Sequence, residues 1–274
     1  MNMQDAEAVN CTGALYPDIH GLYRNPSQSE TKHQWWWTAN TIFDKLSCTK
    51  NHTGTFVFLN NDIYLLQDFI YMIVYMNQLG EFLPHHDFLS LDAVLDLNKI
   101  DAYRADIEKW VPTNNPDVLA FSAATWNSIV YHYDLFCRID DYSWAKSLYY
   151  ISLNRKDKKE PFKVMSTALA RAFKTSNCGF EAKLVDCDVI ETVFQVSNLQ
   201  KNIKDDLFPS YLDVYTKLEL HDEFESIEYA DLNGGWNDPR DKEMCNNMLN
   251  REKKTTPSDT KITNYNSDYR DFSI

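Results

Sequence analysis

The sequence predicts an α/β protein with a mixed sheet, and three observations carry that expectation. Short, continuously apolar runs recur at 55–59, 88–91 and 118–121. Runs of this length without polar alternation suit strands buried on both faces, as in a parallel or mixed sheet. Longer apolar or aromatic segments of helical length, 65–79 and 135–153, lie between and beyond them. Strand and helix therefore alternate along the chain, which is the α/β pattern.

Taken in order, residues 1–30 are polar and turn-rich, with Pro17, Gly21 and Pro26, and read as irregular approach structure. Trp35, Trp36 and Trp37 open a stretch to Leu46 that reads as a helix. A turn at 51–54 precedes the first strand, 55–59, which stops at Asn60-Asn61-Asp62. Helix 65–79 follows and ends at Gly80, then strand 88–91, strand 118–121 and helix 135–153. From about Asp231 the chain is polar, and beyond Met248 it becomes Lys-Lys-Thr-Thr-Pro-Ser-Asp-Thr. The expected organisation is one folded unit over 1–248 and a disordered polar tail over 249–274. No internal repeat is present.

Composition limits the function. The 274 residues hold 27 Lys and Arg against 40 Asp and Glu, a net charge of −13. A chain this acidic repels a phosphate backbone, so no nucleic-acid partner is expected. Hydrophobic residues at 44% and aromatics at 14% supply a real core and argue against wholesale disorder. The longest apolar run, 69–76, is far shorter than the roughly 20 residues a bilayer demands, so no membrane segment is expected. The first residues show no signal peptide. Cysteines stand at 11, 48, 137, 178, 187 and 245, none in a Cys-x-x-Cys pair, and their pairing is left open by number alone. With the sequons at Asn10 and Asn51, they lean toward an oxidising, glycosylating compartment.

Three segments carry candidate chemistry. Asp62 follows a strand end, where ligands collect in open α/β sheets, and could hold a divalent cation on a diphosphate. Its plainer role is to end the strand or cap the next helix. Asp140-Asp141-Tyr142-Ser143-Trp144 offers two acids beside aromatics, either a general base with a sugar platform or an acid cluster at a helix N-terminus. Residues 233–238, Asn-Gly-Gly-Trp-Asn-Asp, read as a turn rather than a phosphate loop. His85-His86 lack metal-ligand spacing, and no Gly-x-Ser-x-Gly or Walker motif is present.

These segments, in this order, resemble the β-1,2-N-acetylglucosaminyltransferase II family of N-glycan maturation. The matching stretches are Tyr16-Pro17-Asp18, Thr31-Lys32-His33-Gln34-Trp35-Trp36-Trp37, Phe58-Leu59-Asn60-Asn61-Asp62 and Asp87-Phe88-Leu89-Ser90-Leu91. Further on come Phe136-Cys137-Arg138-Ile139-Asp140-Asp141-Tyr142-Ser143-Trp144, Asn177-Cys178-Gly179, and Asn233-Gly234-Gly235-Trp236 with Arg240-Asp241. The likeness implies a GT-A-like, Rossmann-like glycosyltransferase fold with a mixed sheet, incomplete at the N-terminus, since the portion that carries the family's first strands and much of its uridine pocket is not in this chain. It implies UDP-GlcNAc as donor, Mn²⁺ on the diphosphate, the α-1,6-arm mannose of a glycoprotein N-glycan as acceptor, inversion, and residence in the Golgi lumen. Asp62 falls on the family's metal-binding acid, and Tyr142 and Trp144 on acceptor-contacting aromatics. Asn60 and Asn61 are the substrate-side neighbours of Asp62. Cys137 with Cys245, and Cys178 with Cys187, fall on disulfide partners, whereas the family partner of Cys11 lies upstream.

The departures concern chemistry. The family's Glu-Glu-Asp is Asn60-Asn61-Asp62, its catalytic Asp is Ala145, its metal-binding His is Lys174, and an acceptor-side Asn is Pro116. An alanine cannot take a proton, and a lysine repels Mn²⁺ although it can pair with a diphosphate. His132 and Arg155 replace a further cysteine pair. The expectation is therefore a transferase-like protein with impaired or lost activity, with Asp140 or Asp141 as a substitute base if transfer persists. The alternatives are a pseudoenzyme that binds glycans or regulates a partner, and a decayed product.

Overall fold

A computed structural model describes residues 3–92, 101–112, 115–155, 160–175, 189–217 and 232–250. The expected tail at 249–274 falls almost wholly outside these residues, as does the Cys178–Cys187 pair. The elements run α1 (Met3–Ala8), α2 (Pro26–Asn40), β1 (Thr55–Leu59), β2 (Ile63–Leu65), α3 (Phe69–Leu79), β3 (Phe88–Ser90), β4 (Arg104–Lys109) and β5 (Val118–Ser122). They continue with α4 (Ala123–Tyr131), α5 (Tyr133–Arg138), α6 (Trp144–Leu153), β6 (Lys163–Thr167), β7 (Ala172–Lys174), α7 (Val189–Asn202), β8 (Asp213–Lys217) and α8 (Pro239–Asn250).

The expected mixed sheet is present. Six strands lie in the order β1-β5-β3-β6-β4-β8, with β3–β6 and β4–β8 parallel and the other pairs antiparallel. The central strands β3 and β5 are buried along almost their whole length. Their side chains divide by the two-residue period of a strand. Leu119 and Phe121 join an aromatic core with Trp35, Trp36, Phe43, Trp126 and Phe136, while Val118 and Ala120 join α3 on the other face. The 55–59 run does not meet the expectation of burial on both faces. It forms β1, a half-buried edge strand, because among the described residues only β5 flanks it.

Three helix boundaries also differ. Helix α2 begins at Pro26, inside the segment read as irregular, because the Asn25 side chain accepts from the Ser27 amide and Pro26 occupies the first turn. Residues 65–79 divide into β2 and a shorter helix. The apolar run 69–76 buries only Phe69, Met72, Ile73 and Met76, at i, i+3, i+4 and i+7, and leaves Ile70 and Val74 in solvent. Segment 135–153 is two helices, broken at 139–143, with Ser143 capping α6 through its acceptance of the Lys146 amide.

The triple tryptophan has a division of labour set by the helical period. Trp36 is buried and its indole donates to the Cys245 carbonyl, Trp35 packs flat on Trp144, and Trp37 is mostly exposed. The expected Cys137–Cys245 disulfide is formed and joins α5 to α8. Trp236 locks the same corner, donating its indole N–H to the Cys137 carbonyl. Cys11 and Cys48 are exposed and unbridged. His132 and Arg155 meet at one residue: His132 Nδ1 bonds the Ser128 carbonyl and Arg155 donates to the Ser128 hydroxyl.

Candidate functional site

Two tertiary devices assemble the site. The first is the small β2–β7 pair, in which Ile63 faces Lys174 and the Asp62 carbonyl accepts from both the amide and the hydroxyl of Thr175. Asp62 takes a left-handed backbone, φ 59°, which turns the chain between β1 and β2. Asp and Asn tolerate this region better than most residues, because a short polar side chain can bond locally. Strand β7 is held from below by Arg171, fully buried, which donates to the Asp68 carboxylate and to the carbonyls of Leu169 and Ala102. Positions 60–62 and 174 are thus brought together from more than 100 residues apart.

The second device is the break between α5 and α6. Asp140 accepts from the amides of Ile19 and Trp236, and Asp141 accepts from the amides of Ser143 and Asn233 and from the Asn233 side chain. Both are buried. They hold the Gly-Gly-Trp loop against the helix start, so the dipeptide is framework rather than an exposed base or a cap. The loop is the expected turn, with φ of 73° at Gly234 and 80° at Gly235. A Cβ on Gly234 would lie 2.5 Å from the Asp18 carboxylate, and one on Gly235 would lie 3.1 Å from the Tyr142 ring. Lys32 closes the corner from beneath. Its buried ammonium donates to the Asp141 carbonyl at 2.8 Å and stands 4.2 Å over the Trp236 ring. Burial pushes that ammonium well below the usual lysine range, against the pull of Asp141 and Asp140.

Between the two devices lies a cleft of about 780 Å³. It opens at the carboxyl end of β1 and is lined by Asn60, Asn61, Pro116, Trp144 and Lys174, all singled out in the sequence. Crevices beyond strand carboxyl ends are the usual ligand sites of α/β sheets. The other wall was not foreseen. Thr31, Gln34, Trp35 and Thr38 face the cleft from α2 at i, i+3, i+4 and i+7, and Asn115 and Asp117 face it from the segment before β5. The helical spacing of three polar groups on the Trp35 face is the sequence signal that identifies this wall.

The charges of the cleft are few. Among the described residues, Asp117 and Lys174 are its only ionisable lining groups, and they pair at 3.8 Å. Asp117 also accepts from the Asn60 side-chain amide at 3.0 Å, and its own backbone N–H donates to Asp92 at 2.7 Å. Ala145 is buried in α6, and the group against its amide is the Asn115 side-chain oxygen, 3.1 Å away. Trp144 lines the cleft but is buried, with one face stacked on Trp35 at 4.5 Å and 4°. Tyr142 is half-buried beside Gly235 and is not among the lining residues.

These side chains do not fit a divalent cation. No group of three or more His, Cys, Asp or Glu converges among the described residues, and the one carboxylate lining the cleft faces a lysine. A hard cation needs several oxygen or imidazole ligands at once.

A family model described as N-acetylglucosaminyltransferase II (MGAT2) matches residues 1–245. The chain is 31% identical over 240 residues to the rat alpha-1,6-mannosyl-glycoprotein 2-beta-N-acetylglucosaminyltransferase, covering 86% of this chain and 53% of that protein. The human protein of the same name is 30% identical over 240 residues, 86% of this chain and 52% of its own length. The Arabidopsis thaliana one is 24% identical over 251 residues, 89% and 55%. The chain thus spans about half the length of the curated relatives it matches. The mixed sheet with helices about it is consistent with the GT-A-like fold implied by the resemblance. No helix among the described residues is long and apolar enough to cross a membrane.

Proposed function

Since this chain belongs to the N-acetylglucosaminyltransferase II family, we propose that it is an N-acetylglucosaminyltransferase II-like protein of N-glycan processing in the Golgi lumen, with impaired or lost transfer. The reaction carried over from the family takes GlcNAc from UDP-GlcNAc to O2 of an α-1,6-arm mannose. The mannose oxygen forms a bond to the anomeric carbon as the bond to the diphosphate breaks, with the electron pair leaving on UDP. The hydroxyl proton must pass to a base.

One observation carries the reading of impairment. The family's base position holds the methyl of Ala145, and the neighbouring group is an amide oxygen already occupied by the Ser143 hydroxyl and the Ala145 N–H. The nearby acids Asp140 and Asp141 are engaged with backbone amides. A positioned base contributes about 10²–10⁴ in rate, which is roughly 3–5 kcal/mol of barrier. Charge stabilisation of the leaving group is of similar or greater weight, and the one lysine lining the cleft among the described residues stands 3.8 Å from Asp117. The test is GlcNAc transfer from UDP-GlcNAc to a mannose-terminated biantennary precursor. The expected result is no turnover above the protein-free control; turnover at an ordinary enzyme rate overturns the reading.

A second reading, a glycan-binding pseudoenzyme, is favoured by the polar wall of the cleft. The side chains of Gln34, Thr38 and Asn61 make no hydrogen bond within the described residues yet face the cleft together.

A further inference from the structure

We propose that Asn51 is an N-glycosylation site and that its glycan shields the open edge of β1 from other chains. This goes beyond the transferase reading and rests on it only for residence in a glycosylating lumen.

The acceptor stands clear of the fold. Asn51, His52 and Thr53 form the Asn-x-Thr tripeptide that oligosaccharide transfer requires. All three are exposed in the turn before β1, and among the described residues neither the Asn51 side-chain amide nor the Thr53 hydroxyl makes a hydrogen bond. The middle residue anchors the turn: the His52 ring packs edge-on against Phe56 of β1 at 5.0 Å, and its backbone N–H donates to the Thr49 carbonyl. Asn10 of the other sequon has a task in the fold. At φ 54° it ends α1, its N–H bonded to the Glu7 carbonyl and the next amide to the Ala6 carbonyl. Asn51 has no such task, so a bulky substituent on its side chain displaces nothing.

In the transfer, Asn51 Nδ2 bonds to the anomeric carbon of an oligosaccharide carried on a polyprenyl diphosphate. The bond from that carbon to the diphosphate oxygen breaks, and the electron pair leaves on the polyprenyl diphosphate. The Nδ2 proton passes to a base of the transferring enzyme.

What the glycan covers is set by β1 and α3. Among the described residues β1 pairs only with β5, and 55–59 holds neither a charge nor a proline, the usual protections of a strand edge. The two flanks of α3 face opposite edges of the sheet. The Tyr71 and Tyr75 hydroxyls donate to the Pro209 and Ser210 carbonyls just before β8, at the far edge, while Asn77 accepts from the Thr55 hydroxyl of β1. Ile70 and Val74 share the Asn77 flank at i, i+4 and i+7, and are 66% and 50% exposed. Leu59, at the end of β1, is 47% exposed. An unpaired, uncharged strand flanked by apolar side chains is a template for another chain. A glycan at the start of that strand occupies the approach to it.

The full chain, expressed in cultured eukaryotic cells behind a cleavable secretory signal peptide, tests this. Peptide-N-glycosidase followed by mass spectrometry should find Asn51 converted to Asp in the parent and in Asn10→Gln, and not in Thr53→Ala. Sedimentation velocity in physiological salt, which screens the chain's net charge of −13, reads the shielding. Enzymatic removal of the glycan from the folded protein, or Asn51→Gln, should tighten self-association about tenfold. Adding Val74→Lys to Asn51→Gln, which puts a charge on the exposed flank, should return the monomer. An unmodified Asn51 in a secreted chain whose Cys137–Cys245 bridge has formed overturns the proposal and leaves the lumenal reading standing. An unmodified chain in which that bridge has not formed overturns both. Occupied Asn51 whose removal leaves sedimentation unchanged overturns the shielding role.

Discussion

Replacing Asp141 by Ala separates framework from catalysis at the one place where a substitute base has been considered. The carboxylate is fully buried and accepts from Ser143 N at 2.7 Å, Asn233 N at 2.8 Å and Asn233 Nδ2 at 3.1 Å. Hydrogen bonds to a charged acceptor are each worth about 1.5–3 kcal/mol, and some of these donors can rehydrate once the Asn233 loop loosens. The buried Lys32 ammonium loses the strongest of its compensating charges at the same time. The expected loss is about 3–5 kcal/mol, which lowers the melting temperature by roughly 10 °C in a chain of this size. Asp141→Asn keeps one acceptor oxygen and should lose about half as much. Thermal unfolding followed by circular dichroism measures both, alongside any residual GlcNAc transfer. An Asp141→Ala protein that melts with the parent but has lost transfer would show that the carboxylate moves a proton, and the framework argument would be wrong.

Three further outcomes follow from the same coordinates. Reducing the Cys137–Cys245 bridge, which closes a separation of 108 residues, should lower the unfolding free energy by about 4–5 kcal/mol; an unchanged urea midpoint in reductant counts against it. Burial alone would raise the Asp241 carboxyl, but hydrogen bonds from His33 and Arg24 outweigh it and hold the group at about 2, below its ordinary 3.8. Its folded value is depressed, so its contribution of about 2 kcal/mol is present above about pH 4 and is lost as pH falls toward 2. Asp241→Asn should flatten the acid limb of stability against pH over that window, and an unaltered limb would refute the assignment. Gly234→Ala places a methyl 2.5 Å from the Asp18 carboxylate at φ 73°, a cost of about 3 kcal/mol. Gly21→Ala, at the same φ with nothing within 4 Å, should cost about 1 kcal/mol; equal melting shifts would mean that the loop yields freely.

Much of the fold was legible because its signals are local. The strands at β1, β3 and β5 and the Gly-Gly turn follow from apolar run length and glycine chemistry. Helix boundaries were less legible. The polar residues of the first turns of α2 mask a helix that Asn25 and Pro26 start, and the break at 139–143 depends on a loop almost 100 residues further on. At the site, Asn60, Asn61, Trp144, Ala145 and Lys174 were marked by likeness to relatives. Thr31, Gln34, Thr38, Asn115 and Asp117 were not, because their role depends on which surface faces them.

By itself the sequence determined the family, the mixed α/β class and the substitution of charge-bearing positions by Asn, Ala and Lys, since each is a property of residue type and order. Only the tertiary structure decided what those substitutions meet. It committed Asp140 and Asp141 to backbone amides, set Lys174 against Asp117, and stacked Trp35 on Trp144. A side chain's chemistry depends on the partners within a few ångströms, and here most of those partners come from segments more than 50 residues away.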